Sequence, residues 1–359
     1  MLPVMMITGS RGFIGTAIIE KFAPYFRIFA FDNKSSKEFL GDNVFSKEMD
    51  LTQDVSVNDA MDFIQRTDPQ VNIASVIHLA AYYDFSGEPS DLYDKVTVQG
   101  TRRLLSALKK FAHVEQFLFS STQLVHAPCS AGEKNNEQWP LDPKWDYPKS
   151  KVETEALIRN IHGQIPSVIL RIAGVYNDQC HSIPISHQIQ RIYEKRLTGH
   201  VFPGDIAHGQ PFVHLDDLVE AIWLTVQHRK ELSSEEIILI GEPETYSYDM
   251  LQKELARLIH GAPHWETIQI PKVVAKTGAW VQDKIPGIEE PFIKPWMIDL
   301  ADDHCQLDIS KAQRVLGWTP QRRLIEALPK MVETLKRDPQ RWYQLHHLKI
   351  SSIPEAAHA

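Results

Sequence analysis

At 359 residues the chain is long enough to bury a large core, as one big domain or two interleaved ones. Its 46 acidic residues against 38 basic ones give a net charge of −8 without a Lys/Arg-rich block, which argues against nucleic acid as a partner. Cys129, Cys180 and Cys305 lie far apart and form no C-x-x-C, so a reducing compartment is expected, with neither a disulfide frame nor a zinc site.

The chain enters a strand-like run, VMMIT (4–8), at once, leaving no room for a charged leader. Gly9-Ser10-Arg11-Gly12-Phe13-Ile14-Gly15 follows, then a helical pattern, TAIIEKFAPYF. Strand, glycine turn and helix in that order make a phosphate cradle. Glycines let the backbone approach a pyrophosphate, and the helix N-terminus favours its charge. The next apolar run, RIFAF, ends in Asp32, 23 residues after Gly9, where an acid can accept hydrogen bonds from ribose hydroxyls.

Asp50-Leu51 closes a further short run, and a helical pattern covers about 55–67. ASVIHLAA (74–81) reads as a buried parallel strand and is too short to cross a bilayer. Residues 91–112 read as one long helix with Leu104, Leu105 and Leu108 on its apolar side. VEQFLFSS is the next strand and ends in a hydroxyl cluster, Ser120-Ser121-Thr122. Twenty-five residues after Thr122 comes Tyr147, and Lys151 follows four positions later on the same helix face. A phenol normally keeps its proton until about pH 10. A nearby ammonium favours the phenolate, so the pair is expected to act as a general base near neutral pH.

SVILRI (167–172) continues the alternation of strand and helix, which indicates an α/β doubly wound parallel sheet. After about residue 175 the alternation breaks down, although PFVHLDDLVEAIWLTVQ and EEIILIG return to it. The expected division is a nucleotide-binding domain at 1–175 plus 214–241 and a smaller, discontinuous, mostly helical substrate region at 176–213 plus 242–343. Residues 344–359 are expected to be a flexible tail.

Together these residues resemble the extended short-chain dehydrogenase/reductase family, in its NAD-dependent epimerase/dehydratase branch. Thr8-Gly9-Ser10-Arg11-Gly12-Phe13-Ile14-Gly15 fits that family's glycine turn, Asp32-Asn33 its ribose acid and Asp50-Leu51 its adenine-side pair. His78-Leu79-Ala80-Ala81 fits the strand beside the cofactor, and Thr122, Tyr147 and Lys151 fit the catalytic positions. Pro211-Phe212-Val213-His214 and Leu316-Gly317-Trp318 look like its later signatures.

The resemblance implies a Rossmann-type fold, NAD as cofactor and hydride transfer at a secondary carbinol. Tyr147 would exchange the proton, Thr122 would hold the substrate oxygen and Lys151 the nicotinamide ribose. The cofactor would lie on Gly9, Arg11, Gly12, Phe13, Ile14, Gly15, Asp32, Asn33, Asp50, Leu51, Leu79, Ala80, Ala81 and Ser120. It also implies a homodimer formed by helices 91–112 and 147–162, with Leu104, Leu108, Ala156 and Leu157 in contact; the cysteine usage and the short apolar runs lead to a cytoplasmic expectation. No metal is expected, since the histidines show no ligand spacing, and no membrane contact.

Departures from the pattern narrow the reaction. The Asp-Glu pair that sugar-nucleotide 4,6-dehydratases place after the catalytic Thr is here Gln123-Leu124, which offers no second acid-base pair. Gln210 stands where such enzymes grip a phosphate with Arg, Gly174 stands for an Asn, and His126 for the Tyr of V-Y-G. Arg191, Arg196, Arg322 and Arg323 remain as alternative phosphate ligands. Epimerisation of a sugar-type substrate is the leading expectation. Dehydrogenation of a hydroxysteroid-like or other alicyclic alcohol is the alternative, with Tyr82, Tyr83 and Phe85 lining an apolar pocket and Gln123 and Gln210 also near substrate. A third reading is a regulator that binds NAD without turnover.

Overall fold

The computed structural model describes residues 2–34, 41–84, 86–262, 264–276, 295–301 and 303–349. The strands are β1 (Val4–Thr8), β2 (Arg27–Asp32), β3 (Val44–Glu48), β4 (Ile73–His78), β5 (Phe117–Thr122), β6 (Ser167–Ile172), β7 (Gly174–Tyr176), β8 (Val201–Pro203), β9 (Phe212–His214), β10 (Glu235–Ile240) and β11 (Ile268–Ile270). The helices that flank them are α1 (Phe13–Phe22), α2 (Asp54–Thr67), α3 (Gln99–Leu108), α4 (Asp146–Ile161), α5 (Ile183–Tyr193), α6 (Leu215–Gln227) and α7 (Tyr248–His260).

Seven strands form one parallel sheet in the order β10-β6-β5-β4-β1-β2-β3. This is the doubly wound Rossmann order, extended by β10 at one edge. Strands β1, β4, β5 and β6 are buried along their whole length, which is why they read as unbroken apolar runs rather than alternating ones. Ile18, Ile19 and Phe22 of α1 and Leu218 and Ile222 of α6 cover one face. Met61 and Ile64 of α2, Leu104 and Leu108 of α3 and Ile158 of α4 cover the other. Side chains of this size each contribute about 1.5–3 kcal/mol when fully buried.

Register decides where the chemistry sits. Thr8 pairs with Phe31 and with His78, His78 with Phe119, and Thr122 with Ile172. The carboxyl ends of five strands therefore form one rim, where open α/β sheets bind ligands. A third core stands beyond that rim, built from Tyr176, Ile185, Ile189, Leu251, Leu255, Leu328, Trp342 and Tyr343. It is closed by helices Leu324–Arg337 and Pro339–Leu345.

Three expectations change. The helix read at 91–112 starts with a π-wound stretch, Tyr93–Val98, and α3 stops at Leu108. Side-chain hydrogen bonds tie this wider turn to the rim: the Tyr82 N–H donates to Thr97 Oγ1 at 3.0 Å, and Thr101 Oγ1 lies 2.9 Å from His78 Nε2. Leu104 and Leu108 are fully buried in the core against the sheet, and Leu157 is nearly buried. Of the expected dimer contacts only Ala156 is exposed. In the segment expected as a tail, residues 344–349 are tied down by hydrogen bonds, although Gln344, Leu345, His347 and Lys349 are exposed. Leu348 N–H donates to Tyr343 O, and the Gln190 side chain donates to Lys349 O at 2.9 Å. Residues 350–359 lie outside the described residues. Among the described residues no helix is long and apolar enough to cross a membrane.

Candidate active site

One cavity of about 1090 Å³ runs along the rim. Gly9 adopts φ +70°, and a Cβ there would stand 2.8 Å from Ala80 N. A Cβ on Gly15 would stand 2.3 Å from Gly9 O. Backbone thus fills the space that side chains would need, and the turn closes tightly over the start of α1. Gly12 caps α1 with extended backbone and no side-chain hydrogen bond, leaving the first-turn N–H groups directed at the cavity for an anion. Asp32 accepts from Arg11 N–H at 3.0 Å and from Asn33 N–H at 2.9 Å, which fixes its carboxylate at the end of β2. Asp50, Leu51, Leu79, Ala80, Ala81 and Ser120 line the same cavity. The cradle fits a dinucleotide.

Thr122, Tyr147 and Lys151 also line this cavity. Lys151 is buried, donates to Ser120 O at 2.6 Å, and its Nζ lies 4.6 Å from the Phe119 ring centre and 5.6 Å from that of Tyr147. Burial drives its pKa down to about 7, against the smaller upward pull of Glu155. Burial, followed by Tyr93, pushes the Tyr147 phenol well above its ordinary value. The expected lowering of the phenol pKa by Lys151 is therefore corrected. Desolvation opposes charge on both groups, and the lysine is engaged by a carbonyl. Tyr147 rests here as a neutral phenol, in the form that donates a proton.

Beneath the site lies a buried network that the sequence reading did not assemble. Arg171 grips Glu155 through two bonds, Nε to Oε1 at 3.1 Å and Nη2 to Oε2 at 2.7 Å. Both side chains are almost wholly buried. Ser121 Oγ donates to Glu155 at 2.5 Å, and Arg171 Nη1 meets His126 Nε2 at 2.6 Å. A guanidinium can only donate, so His126 accepts at Nε2 and carries its proton at Nδ1. Burial, then the Arg171 charge, lowers the His126 pKa to about 3. The i, i+4 spacing of Lys151 and Glu155 on α4 was available as a signal, but Arg171, the partner of Glu155, lies on β6.

His78 is held in a similar way. Thr101 Oγ1 donates to Thr97 O at 2.6 Å, so it accepts from His78 Nε2–H, and His78 Nδ1 accepts from Thr8 Oγ1 at 2.6 Å. Burial, then Lys151, lowers its pKa to about 3.

The substrate side of the cavity is mostly apolar. Tyr83, Trp145, Phe202, Tyr248, Leu251 and Ile298 face it. Tyr83 packs edge-on to Tyr147 at 4.8 Å. Tyr82 does not line the cavity. It packs against Tyr93 at 4.8 Å, where the π-wound turn receives it. Phe85 lies outside the described residues. Gln210 lines the cavity, but both ends of its amide are engaged: Nε2 donates to Asp303 O at 2.6 Å, and Oε1 accepts from Gln123 Nε2 at 3.2 Å. Of the four arginines offered as phosphate ligands, only Arg191 lines the cavity. Arg196 pairs with Glu194, Arg322 with Asp216 and Arg323 with Glu244. Gly174 has a packing reason, since a Cβ there would meet the Phe212 ring at 2.9 Å. Among the described residues no group of three or more His, Cys, Asp or Glu is placed to hold a metal.

The family model described as NAD dependent epimerase/dehydratase family matches residues 5–241. A sterol-4-alpha-carboxylate 3-dehydrogenase (decarboxylating) of Candida albicans is 26% identical over 355 residues, covering 89% of this chain and 94% of the relative. An N-acetyl-alpha-D-glucosaminyl-diphospho-ditrans,octacis-undecaprenol 4-epimerase of Escherichia coli O157:H7 is 30% identical over 163 residues, 45% of each protein. The UDP-glucose 4-epimerase of Thermus thermophilus, solved in complex with NAD, superposes with a TM-score of 0.66 at 23% identity over 92% of this chain and 97% of that one.

Proposed function

The chain belongs to the NAD dependent epimerase/dehydratase family, and on that premise we propose that it oxidises or reduces one secondary carbinol of an alicyclic, largely apolar alcohol. The observation that carries this reading is the substrate wall, where aromatic and aliphatic side chains face the cavity and Gln210 replaces a phosphate-gripping arginine. A UDP moiety would bring two phosphate charges to a wall whose lining cations are Arg191 and Lys144, the latter paired with Asp142. The full-length likeness to a sterol dehydrogenase supports the same reading.

NAD supplies or accepts the hydride. Gly9, Gly12 and Gly15 would hold its pyrophosphate against the N-terminus of α1, and Asp32 its adenosine ribose. Thr122 would hydrogen-bond the substrate oxygen, and Tyr147 would pass its proton to that oxygen in reduction; in oxidation it would first release that proton and then, as phenolate, take the one on the alcohol. Lys151, donating to Ser120 O from the floor of the cavity, would orient the nicotinamide ribose. Gln123 and Leu124 supply no acid or base beside Thr122, so dehydration is not part of the proposed chemistry.

Sugar-type epimerisation stands as the second reading, favoured by the 30% identity to a lipid-linked sugar 4-epimerase over the matched 163 residues. Turnover of a panel of hydroxysteroids and sugar nucleotides separates the two. Stoichiometric NADH from an alicyclic alcohol is expected. Interconversion of a sugar nucleotide without net NADH would replace the first reading with the second, because epimerisation returns each hydride to its substrate.

The proposed division of labour follows the domain reading, with 1–175 plus 214–241 binding cofactor and 176–213 plus 242–343 enclosing substrate. A cytoplasmic homodimer through α3 and α4 belongs to the same proposal. Its contacts would be Ala156 and the exposed charged residues around it rather than the buried leucines. A monomer mass by light scattering at micromolar concentration would remove it.

A further inference from the structure

The loop 177–182, between β7 and α5, holds two side-chain-bearing residues in left-handed backbone. Cys180 adopts φ +85° and His181 φ +35°. That conformation is unfavourable for any residue with a Cβ and persists only where the surroundings enforce it. Here Asn177 and Cys180 exchange backbone hydrogen bonds at 2.9 and 3.3 Å, and the Cys180 side chain is wholly buried. The result is to bring His181 to the rim. Its ring stacks on that of Phe13, with centres 4.7 Å apart and 19° between the planes. Phe13 is the first residue of α1, so the imidazole stands at the helix end that the glycine turn leaves open. His181 lines the same cavity as Gly9, Gly12 and Phe13.

Its neighbours set the state of the ring. Asn177 Oδ1 accepts from Gln179 N–H at 3.0 Å, which identifies it as the oxygen, and it lies 3.1 Å from His181 Nδ1. Nδ1 therefore carries a proton, and in the neutral ring Nε2 keeps a lone pair. Among the described residues Nε2 has no partner, and unlike His346 Nε2 it is not sealed from solvent. The groups around it leave it neutral. Burial holds the His181 pKa below its ordinary value. The His346 ring meets it edge-on at 5.7 Å and is lowered to about 4, mainly by burial. Asp178, in the same loop, is taken up by Lys330 and faces His214. Arg11 of the glycine turn lines the cavity and brings a fixed charge.

We propose that His181 binds the diphosphate of the cofactor through Nε2 as an imidazolium, so that the protein takes up a proton when NAD(H) binds. A diphosphate oxygen can only accept, so it needs an Nε2–H in place of the lone pair. Negative charge beside the ring favours its protonated form, and the charge-assisted bond that results is stronger than a neutral one. The free protein holds His181 neutral and the complex holds it charged. Affinity for the cofactor therefore rises as pH falls, by at most about 10-fold per pH unit for one proton taken up. The proposal rests on the cofactor class and is independent of which alcohol is oxidised. Lys151, lowered to about 7, would add a dependence of the same sign through the nicotinamide ribose. What reports on His181 is thus the difference between the wild type and a His181 variant.

The test titrates the full-length protein with NADH by fluorescence at pH 8, 7 and 6. The wild type should bind roughly 10-fold more tightly at pH 6 than at pH 8. His181→Phe keeps a ring on Phe13 without a nitrogen, and should lose about 10-fold in affinity at pH 6 and much less at pH 8. His181→Asn tolerates left-handed backbone and cannot take up a proton, so it should flatten the dependence in the same way. Thermal melts without cofactor show that the variants are folded. Calorimetry in buffers of different protonation enthalpy should find proton uptake by the wild type that falls in both variants. Wild-type affinity that is flat from pH 8 to pH 6 overturns the proposal. So does a dependence that persists undiminished in both variants, which would assign it to Lys151. An equal loss of affinity at every pH would make His181 a packing residue and overturn it as well.

Discussion

The two halves of the cavity are built by different means. The cofactor half is made of backbone: a glycine turn whose missing side chains leave room, a helix N-terminus, and strand ends brought level by sheet register. The substrate half is made of side chains drawn from distant parts of the chain, with Gln123, Gln210 and Asp303 in a single relay. Backbone geometry is shared wherever the fold is shared, so the first half identifies the cofactor and says little about the reaction. Side-chain identity is free to vary on that frame, so the second half decides what is bound.

The sharpest way to separate the halves is to remove the proposed proton carrier between them. Tyr147→Phe keeps the ring packed against Tyr83 and should lower kcat by about 10²–10⁴-fold while NADH binding persists. Near-normal turnover of the variant would show that the proton is carried elsewhere. Next in size is a change confined to the cofactor half. Gly15→Val forces atoms into the 2.3 Å gap to Gly9 O and should weaken NADH binding about 30-fold or more, or lower stability by roughly 1–3 kcal/mol. Fluorescence titration and a denaturant melt distinguish these outcomes, and a neutral result would mean that the turn is not the cradle.

A smaller effect is expected at Asp32. Its carboxylate should repel a 2′-phosphate, so the wild type binds NADH more tightly than NADPH, and Asp32→Ala should narrow that gap by about 10-fold. Tighter binding of NADPH by the wild type would reverse the assignment.

The smallest effect is a slope in stability with pH. His78 and His126 are held neutral, with pKa values lowered to about 3. Between there and their ordinary value near 6.5 the unfolded chain binds protons that the folded chain refuses, so stability is lost as pH falls through this window. Glu242, raised to about 7 mainly by burial, works in the opposite sense and loses its contribution as pH rises from 4.5 to 7. His187 and His346 are lowered in the same way, to about 3 and about 4, so four histidines oppose one glutamate. Denaturant midpoints should fall from pH 6.5 to about pH 5, and His78→Gln should flatten the slope. A midpoint that rises over this range would contradict the neutral assignment.

The cofactor half and the sheet were legible in the sequence because both depend on neighbours in the chain. Buried parallel strands declare themselves as apolar runs, and β6 falls on SVILRI as read. A strand, three glycines and a helix are contiguous, and Tyr147 and Lys151 share a helix face by spacing alone. Tyr82 and Tyr83 were not separable by any such rule. Which of them faces the cavity depends on a π-wound turn that receives Tyr82 from across the loop. The state of Tyr147 and Lys151 was misjudged for a related reason. Spacing shows that the two are near, but the cost of charge is set by everything that excludes water from them.

The polarity of the substrate wall lay furthest from the sequence. Gln123 meets Gln210 across 87 positions and Gln210 meets Asp303 across 93, while His126 takes its tautomer from Arg171 across 45. Each of these residues is ordinary where it stands in the chain. What a glutamine presents to a ligand is decided by which of its two ends is already bound, and only the folded sheet brings those partners together. The sequence alone determined the fold, the cofactor and the sharing of one helix by Tyr147 and Lys151. Tertiary structure decided how the polar groups of the substrate wall are paired, because hydrogen-bond polarity is a property of contacts rather than of composition.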